Sequence, residues 1–299
     1  MSFEDGRIEI ETLPGGTHLR IGRWESAGGC RGRIVLLQGR TEFLEKYAET
    51  IGELTARGFE VRALDWRGQG LSDRMLRNRH RGYIDDYETF LGDLDWFLGR
   101  IGAPPQGLPT IVLAHSMGGH VATRALLERR LKADRMVLSA PMIDLPVAAL
   151  IRKLAGVLAA TGFATAYVPG FGRNYGPRNA RFEGNALTSD PVRFAAMHAC
   201  IAANPALAIG APTWGWLAAS LRSIGTLRSL SEPGPRTCPV LLCSAEKDTV
   251  VSVPAQREVC ERLPDFEFLP IPGSRHEALQ ETDAIRARFW DAFDHFVSL

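Results

Sequence analysis

Six short, nearly unbroken apolar runs punctuate the chain: Ile34 to Leu37, Val61 to Leu64, Thr110 to Ala114, Met136 to Ser139, Val240 to Ser244 and Phe266 to Leu269. Runs of this length without polar alternation suit strands covered on both faces. Between them the period changes to that of a helix. Tyr47, Ile51 and Leu54 recur on one helical face that Gly58 ends, and Tyr87, Phe90, Leu91, Leu94, Phe97 and Ile101 line a second. Ile285, Phe289, Phe293 and Phe296 line a third, at the C-terminal end. Strand and helix in alternation predict an α/β protein, a mostly parallel central sheet with helices on both faces.

The alternation stops between about Leu145 and Arg236, where helix-like pieces mix with Gly, Ala, Pro, Phe and Trp and no clean strand is visible. We expect an inserted, mainly helical segment there, so that residues 1–144 and 237–299 form one body and residues 145–236 a cap. The segment holds nine Lys or Arg against three Asp or Glu, a balance of +6 within a chain whose formal net charge is +1. The cap is therefore basic and the body acidic. Residues 154–172 carry no charge, but Gly156, Gly162, Pro169 and Gly170 interrupt them, which predicts a cap helix with an apolar face rather than a membrane span.

With 299 residues, 45% hydrophobic and 23% charged, the chain can bury a large core. Near-zero net charge argues against a nucleic-acid partner. Met1-Ser2-Phe3-Glu4-Asp5 is acidic and no apolar run follows it, so neither a secretory signal nor a mitochondrial presequence is expected and the location is read as cytoplasmic. Cys30, Cys200, Cys238, Cys243 and Cys260 lack the paired short spacings of a zinc site and are read as buried thiols. The oligomeric state is left open.

Chemistry enters at Thr110-Ile-Val-Leu-Ala-His-Ser-Met-Gly-Gly119, where a buried strand runs into a serine and then into a helix starting near Met117. Such a turn holds the serine in a strained conformation and admits only small residues two before and two after it. Ala114 and Gly118 fill those places, Ala114 standing where a G-x-S-x-G pattern has glycine. The helix N-terminus turns its unpaired N–H groups and positive dipole end towards a developing oxyanion, with the Met117 N–H as one donor. A serine hydroxyl needs a base, and the base needs a carboxylate behind it. The loop closing Cys238-Pro-Val-Leu-Leu-Cys-Ser-Ala-Glu-Lys-Asp248 makes Asp248 the acid, with Glu246 and Asp144 as alternatives. The loop after Phe266-Glu-Phe-Leu-Pro-Ile-Pro-Gly-Ser-Arg-His276 delivers His276 as the general base. The other six histidines are read as structural. Leu36-Leu-Gln-Gly-Arg-Thr-Glu42 should supply the second oxyanion donor, the Arg40 N–H.

Gln38-Gly-Arg-Thr-Glu, Asp65-Trp-Arg-Gly-Gln-Gly-Leu-Ser-Asp73, Ala114-His-Ser-Met-Gly-Gly119, Ser244-Ala-Glu-Lys-Asp248 and Gly273-Ser-Arg-His276 together resemble the α/β-hydrolase superfamily, and within it the monoglyceride lipase and lysophospholipase branch. The likeness spans nearly the whole chain. It implies a serine hydrolase that cleaves lipid-like carboxylic esters through an acyl-enzyme, foremost a lysophospholipase, with a monoacylglycerol lipase or broad carboxylesterase next. It calls for no metal and no cofactor. Gln38 departs from the His-Gly that many relatives carry before the oxyanion donor. The stretch from Asp65 to Asp73 reads as a structural turn. The resemblance further implies that the cap roofs the acyl pocket, for which Phe163, Tyr167, Phe171, Trp214 and Trp216 are the candidates. The basic cap would favour a phosphate-bearing head group or peripheral contact with an anionic membrane. The same triad could serve an acyltransferase or perhydrolase, and the fold also hosts non-catalytic binding proteins.

Overall fold

The computed structural model describes residues 3–104, 107–231 and 238–298. All six predicted strands form: β3 (Gly32–Leu37), β4 (Phe59–Leu64), β5 (Thr110–His115), β6 (Arg135–Ser139), β7 (Val240–Ala245) and β8 (Phe266–Ile271). Two more precede them, β1 (Arg7–Thr12) and β2 (His18–Trp24), which the apolar pattern does not reveal. β2 runs through Arg20 and Arg23, and β1 alternates charged with aliphatic residues at the sheet edge, so neither reads as a continuous apolar run. The eight strands pair in the order β1-β2-β4-β3-β5-β6-β7-β8, parallel from β4 onward, with β1 and β2 antiparallel.

Helices cover both faces. Alternate residues of one strand serve opposite sides. Ile34 and Leu36 pack with Ile51 and Leu54 of α1 (Ala48–Ala56) and with Phe289 and Phe293 of α8 (Asp283–Ser298). Val35 and Leu37 face Phe90 and Leu94 of α2 (Tyr87–Ile101) and Val121 of α3 (Ser116–Leu127). α7 (Val253–Arg262) completes that side through Val259. After β4 the chain crosses back over β3 to form β5, so the strand order reverses between β3 and β5. A crevice opens at the carboxyl ends of strands at such a point.

Between β6 and β7 no strand of the sheet forms among the described residues. The segment holds α4 (Ala149–Leu158), α5 (Pro191–Ala203) and α6 (Trp214–Leu230). The apolar helix expected over 154–172 is shorter than that: it begins at Ala149, widens to a π turn over Ala159–Phe163 and breaks where Gly162 takes φ +94°. α6 belongs to the main core, since Trp214, Trp216, Leu217, Ile224 and Leu227 are buried with the α2 and α3 side chains. The expected end of the cap at Arg236 lies outside the described residues. Only Cys243 is fully buried, the other four cysteines are half-buried, and none of the five is in a disulfide. No helix among the described residues is long and apolar enough to cross a membrane.

α3 is buried along its whole length and carries His120 inside the fold. Nδ1–H donates to the Met142 carbonyl (2.9 Å), which leaves Nε2 to accept the Ser223 hydroxyl (2.6 Å) and fixes a neutral ring. Burial above all pulls its pKa down to about 3, reinforced by Arg124 and opposed by the Met142 carbonyl. The folded state thus refuses a proton that the unfolded chain accepts near 6.5, so stability is complete above that pH and drains away as pH falls toward 3. From pH 7.5 to 5.5 the expected loss from this residue is about 1.4 kcal/mol. Urea unfolding of His120→Gln should show a pH-dependent loss smaller by about that amount, and equal losses in variant and parent would refute the account.

Candidate active site

Ser116 sits at the first residue of α3, directly after β5, with φ +50°, the left-handed conformation that a non-glycine residue rarely holds. The local sequence enforces it. Gly118 packs so tightly under the end of β3 that an added Cβ would overlap the backbone carbonyls of Leu37 and Gln38. Ser116 Oγ–H donates to His276 Nε2 (2.9 Å), and His276 Nδ1–H donates to Asp248 Oδ2 (2.7 Å). Asp248 Oδ1 accepts from the N–H groups of Val250 (2.7 Å) and Val251 (3.1 Å). Burial pushes the Asp248 carboxyl up, but His276 and these two amides outweigh it, so its pKa lies below the ordinary aspartate value.

Loops at the carboxyl ends of β7 and β8 supply acid and imidazole, and they are stitched together. Lys247 N–H donates to the Ser274 carbonyl (2.8 Å), and Gly273 N–H to the Glu246 carboxylate (2.8 Å). The Glu277 N–H donates to the Leu187 carbonyl (2.9 Å), tying the histidine loop to the segment between β6 and β7. Both alternative acids are engaged elsewhere: Glu246 on Gly273, and Asp144 on Arg152 (2.7 Å) and Arg228 (3.5 Å).

The loop after β3 is held from both sides. Gly39 N–H donates to Glu42 Oε2 and Thr41 N–H to Gln69 Oε1 (2.5 Å). The Arg40 N–H between them has no acceptor among the described residues, and Arg40, like Met117, is among the residues lining the cavity that holds Ser116. The Asp65 turn braces this loop from below, its carboxylate accepting from the Leu44 and Leu71 N–H groups (2.9 Å each). Gly70, at φ +49°, lies so close to Asp65 that a side chain there would overlap it.

Beneath the loop lies a buried charge cluster that sequence reading missed. Lys46 Nζ donates to Glu42 (2.7 Å) and to Glu277 (2.6 Å), while the Tyr47 hydroxyl donates to Glu42 (2.7 Å). Burial alone would raise the Glu42 pKa, but Lys46 and His115 bring it down to about 2. Burial also opposes the Lys46 charge, yet Glu277 and Glu42 hold its pKa above the ordinary value. His115 is pulled down, mainly by burial, and its Nδ1–H donates to the Ser139 carbonyl (2.9 Å). Glu42, His115 and Glu277 are the described groups whose ligand atoms cluster closely enough for a metal, within 4.8 Å. The Lys46 ammonium already bridges the two carboxylates, so the chain supplies the cation. The four-residue spacing of Glu42 and Lys46 is the sequence signal that could have pointed here, although Glu42 lies in the loop ahead of the 3₁₀ turn Leu44–Tyr47.

The cavity over Ser116 has a volume of about 390 Å³. Its lining combines apolar residues, Met142, Leu145, Val147, Leu217, Val250 and Val251 among them, with the polar or charged Arg40, Thr41, Glu42 and Glu277. Of the aromatic residues expected there, Phe171 and Trp216 line it. The remaining three do not. Phe163 is 54% exposed because the chain turns at Gly162; Tyr167 borders a separate groove and bonds Asn174 (2.5 Å); Trp214 is packed into the core at the start of α6.

Residues 28–283 match the sequence profile of the family described as Hydrolase_4, serine aminopeptidase, S33. Lysophospholipase L2 of Escherichia coli (strain K12) is 31% identical over 265 residues, 85% of this chain and 76% of that protein. The monoacylglycerol lipase of Mycolicibacterium smegmatis is 27% identical over 277 residues, 90% of this chain and 89% of its own. A soluble variant of the monoglyceride lipase of Saccharomyces cerevisiae, solved with a substrate analog, superposes with a TM-score of 0.76 over 98% of this chain and 96% of that one, at 18% identity.

Proposed function

Because the chain belongs to the Hydrolase_4 family, serine aminopeptidase, S33, we propose that it hydrolyses carboxylic esters of lipid-like substrates, foremost lysophospholipids, with Ser116 as nucleophile. The observation that carries this reading is the unbroken line from Asp248 through His276 to Ser116 in the lining of a cavity rich in apolar residues. A peptide-trimming reading, which the family's description suggests, would want a free carboxylate for the substrate's α-ammonium group. The two carboxylates at the cavity wall, Glu42 and Glu277, are both held by Lys46.

In the reaction, Ser116 Oγ attacks the ester carbonyl carbon as its proton passes to His276 Nε2. The carbonyl oxygen becomes an oxyanion facing the N–H groups of Arg40 and Met117. Collapse breaks the carbon–oxygen bond to the alcohol, which leaves with the proton from His276. Water then repeats the sequence, losing its proton to His276 and releasing the fatty acid. Asp248 keeps Nδ1 protonated and balances the imidazolium. The reaction calls for no metal or cofactor.

Of the expected cap span 145–236, the part ahead of α6 acts as the cap of this site, since α6 packs in the main core and residues 232–236 lie outside the described residues. Leu150, Leu154 and Val157 form an exposed apolar face on α4, and Phe171 is both exposed and part of the cavity lining. With Lys153 on that helix, this face suits peripheral contact with an anionic bilayer, which we place at the cytoplasmic side. Purified protein should release fatty acid from lysophospholipid, monoacylglycerol and p-nitrophenyl butyrate but leave an alanine p-nitroanilide intact. Anionic vesicles should raise the rate on the lipids several-fold over zwitterionic ones. Faster cleavage of the anilide than of every ester would overturn the ester assignment.

A further inference from the structure

Buried arginines in this protein come with carboxylates. Arg20 meets Glu45 and Asp65, Arg33 meets Glu60, Arg124 meets Glu88 and Glu128, and Arg286 meets Glu49 and Glu53. Arg40 is half-buried and has no such partner, although its Nε is fully shielded. Its Nη2 donates to the Gly210 carbonyl (2.6 Å), its guanidinium carbon stands 5.1 Å from the centre of the Trp216 ring, and the shielded Nε has no hydrogen-bond partner. No carboxylate among the described residues pairs with it. Burial lowers its pKa to about 10, which leaves it cationic at neutral pH. A shielded cation without a counterion is costly unless an anion arrives.

The surroundings fit an arriving anion. Arg40 borders the Ser116 cavity and also an adjoining chamber of about 250 Å³. Asn179 is shared between that chamber and an outer groove lined by Arg81, Arg173 and Arg178, with no Asp or Glu in its lining. Glu277, the one acidic group of the chamber, is bound to Lys46. Arg40 and Asn179 thus link the Ser116 cavity, through the chamber, to a cationic groove.

We infer that the Arg40 side chain is the head-group site, binding the phosphate of a lysophospholipid whose acyl chain lies along Met142, Leu145 and Val251, and that it sets a preference for phosphate-bearing over neutral monoacyl lipids. The inference rests on the ester-hydrolase reading and adds a specificity determinant to it. The spacing agrees: in a 1-acyl glycerophospholipid six bonds separate the ester carbonyl carbon from phosphorus, and six separate an arginine's backbone nitrogen from its guanidinium carbon. One residue can face the oxyanion with its N–H and the phosphate with its fork, a geometry that favours bidentate binding.

Two non-cleavable ethers, 1-O-decylglycerol 3-phosphate and 1-O-decylglycerol, test this without turnover, with tryptophan fluorescence or calorimetry as readout. The parent protein should bind the phosphate-bearing lipid at least ~10-fold more tightly than the neutral one, a ratio worth about 1.4 kcal/mol. In Arg40→Gln the ratio should fall to about 1, and in Arg40→Lys, which keeps the charge but loses the fork, to an intermediate value. Arg181→Ala, at an exposed cap arginine paired with Glu183, should keep the parent ratio. A parent ratio near 1, a ratio that survives in Arg40→Gln, or equal loss in Arg181→Ala would overturn the inference. So would inorganic phosphate binding as tightly as the lipid, which would mark a simple anion site. Should Arg40→Gln not fold, the comparison of Arg40→Lys with the parent decides, because an undiminished ratio there also overturns it. An Arg40-dependent ratio in a protein that cleaves no acyl ester would refute the hydrolase reading alone.

Discussion

Ser116→Ala is expected to fold like the parent and to lose ester hydrolysis by roughly 10⁴- to 10⁶-fold in kcat, the scale on which nucleophile removal acts in serine hydrolases. Alanine keeps the Cβ and tolerates the same φ of +50° no worse than serine does. The lost hydroxyl touches only His276 Nε2 and the cavity, so thermal stability should stay within about 1 kcal/mol of the parent. Covalent labelling by a fluorophosphonate should vanish with the activity, because the probe reacts with a serine that His276 deprotonates. Residual turnover within tenfold of the parent, in a preparation free of contaminating esterase, would remove Ser116 from the reaction. A folded parent protein that neither labels nor turns over would point instead to the non-catalytic binding reading.

The parts of this site that were legible in the sequence are those whose constraints are local. The turn at Ser116 needs small neighbours within two residues on either side, so it leaves a short readable pattern. Asp248 follows β7, a strand buried along its whole length that declares itself by an unbroken apolar run, whereas His276 follows the half-exposed edge strand β8, whose run is interrupted by Glu267. The strands β1 and β2 were hidden because the groups that make their charges tolerable are distant in sequence: Arg20 relies on Glu45 and Asp65, and Arg23 on Glu11. The cavity lining was half hidden for the same reason. Which side of a helix meets the cavity depends on how it docks: Trp214 and Trp216 of α6 both pack in the core, and of the two Trp216 also lines the cavity. Most of the apolar lining comes from loop positions such as Leu145, Val147 and Val251, which no periodicity marks.

Lys46→Met is expected to have the largest effect on stability. The methionine fills much the same volume but leaves the Glu42 and Glu277 carboxylates buried and facing one another, where each had shared the ammonium at 2.7 and 2.6 Å. Removing one partner of a buried charge set typically costs about 3–5 kcal/mol, because the desolvated charge left behind has no compensation. At about 2.1 cal/mol/K of unfolding entropy per residue, that corresponds to a fall in Tm of roughly 5–8 °C for a chain of this size. A proton can stand in for the ammonium, so the deficit should be larger at pH 8 than at pH 5, the sign opposite to that from His120. Activity should fall with it, because Glu42 also fixes the Gly39 N–H and through it the direction of the Arg40 N–H. Adding Glu277→Gln to Lys46→Met removes one of the two uncompensated carboxylates and their mutual repulsion, while Glu42 keeps the Gly39 N–H and the Tyr47 hydroxyl, and should recover part of the lost stability. Thermal unfolding of parent, single and double variants at both pH values measures all of this. A Lys46→Met protein as stable as the parent at pH 8 would mean that the cluster is hydrated and that Lys46 does not hold the oxyanion loop in place.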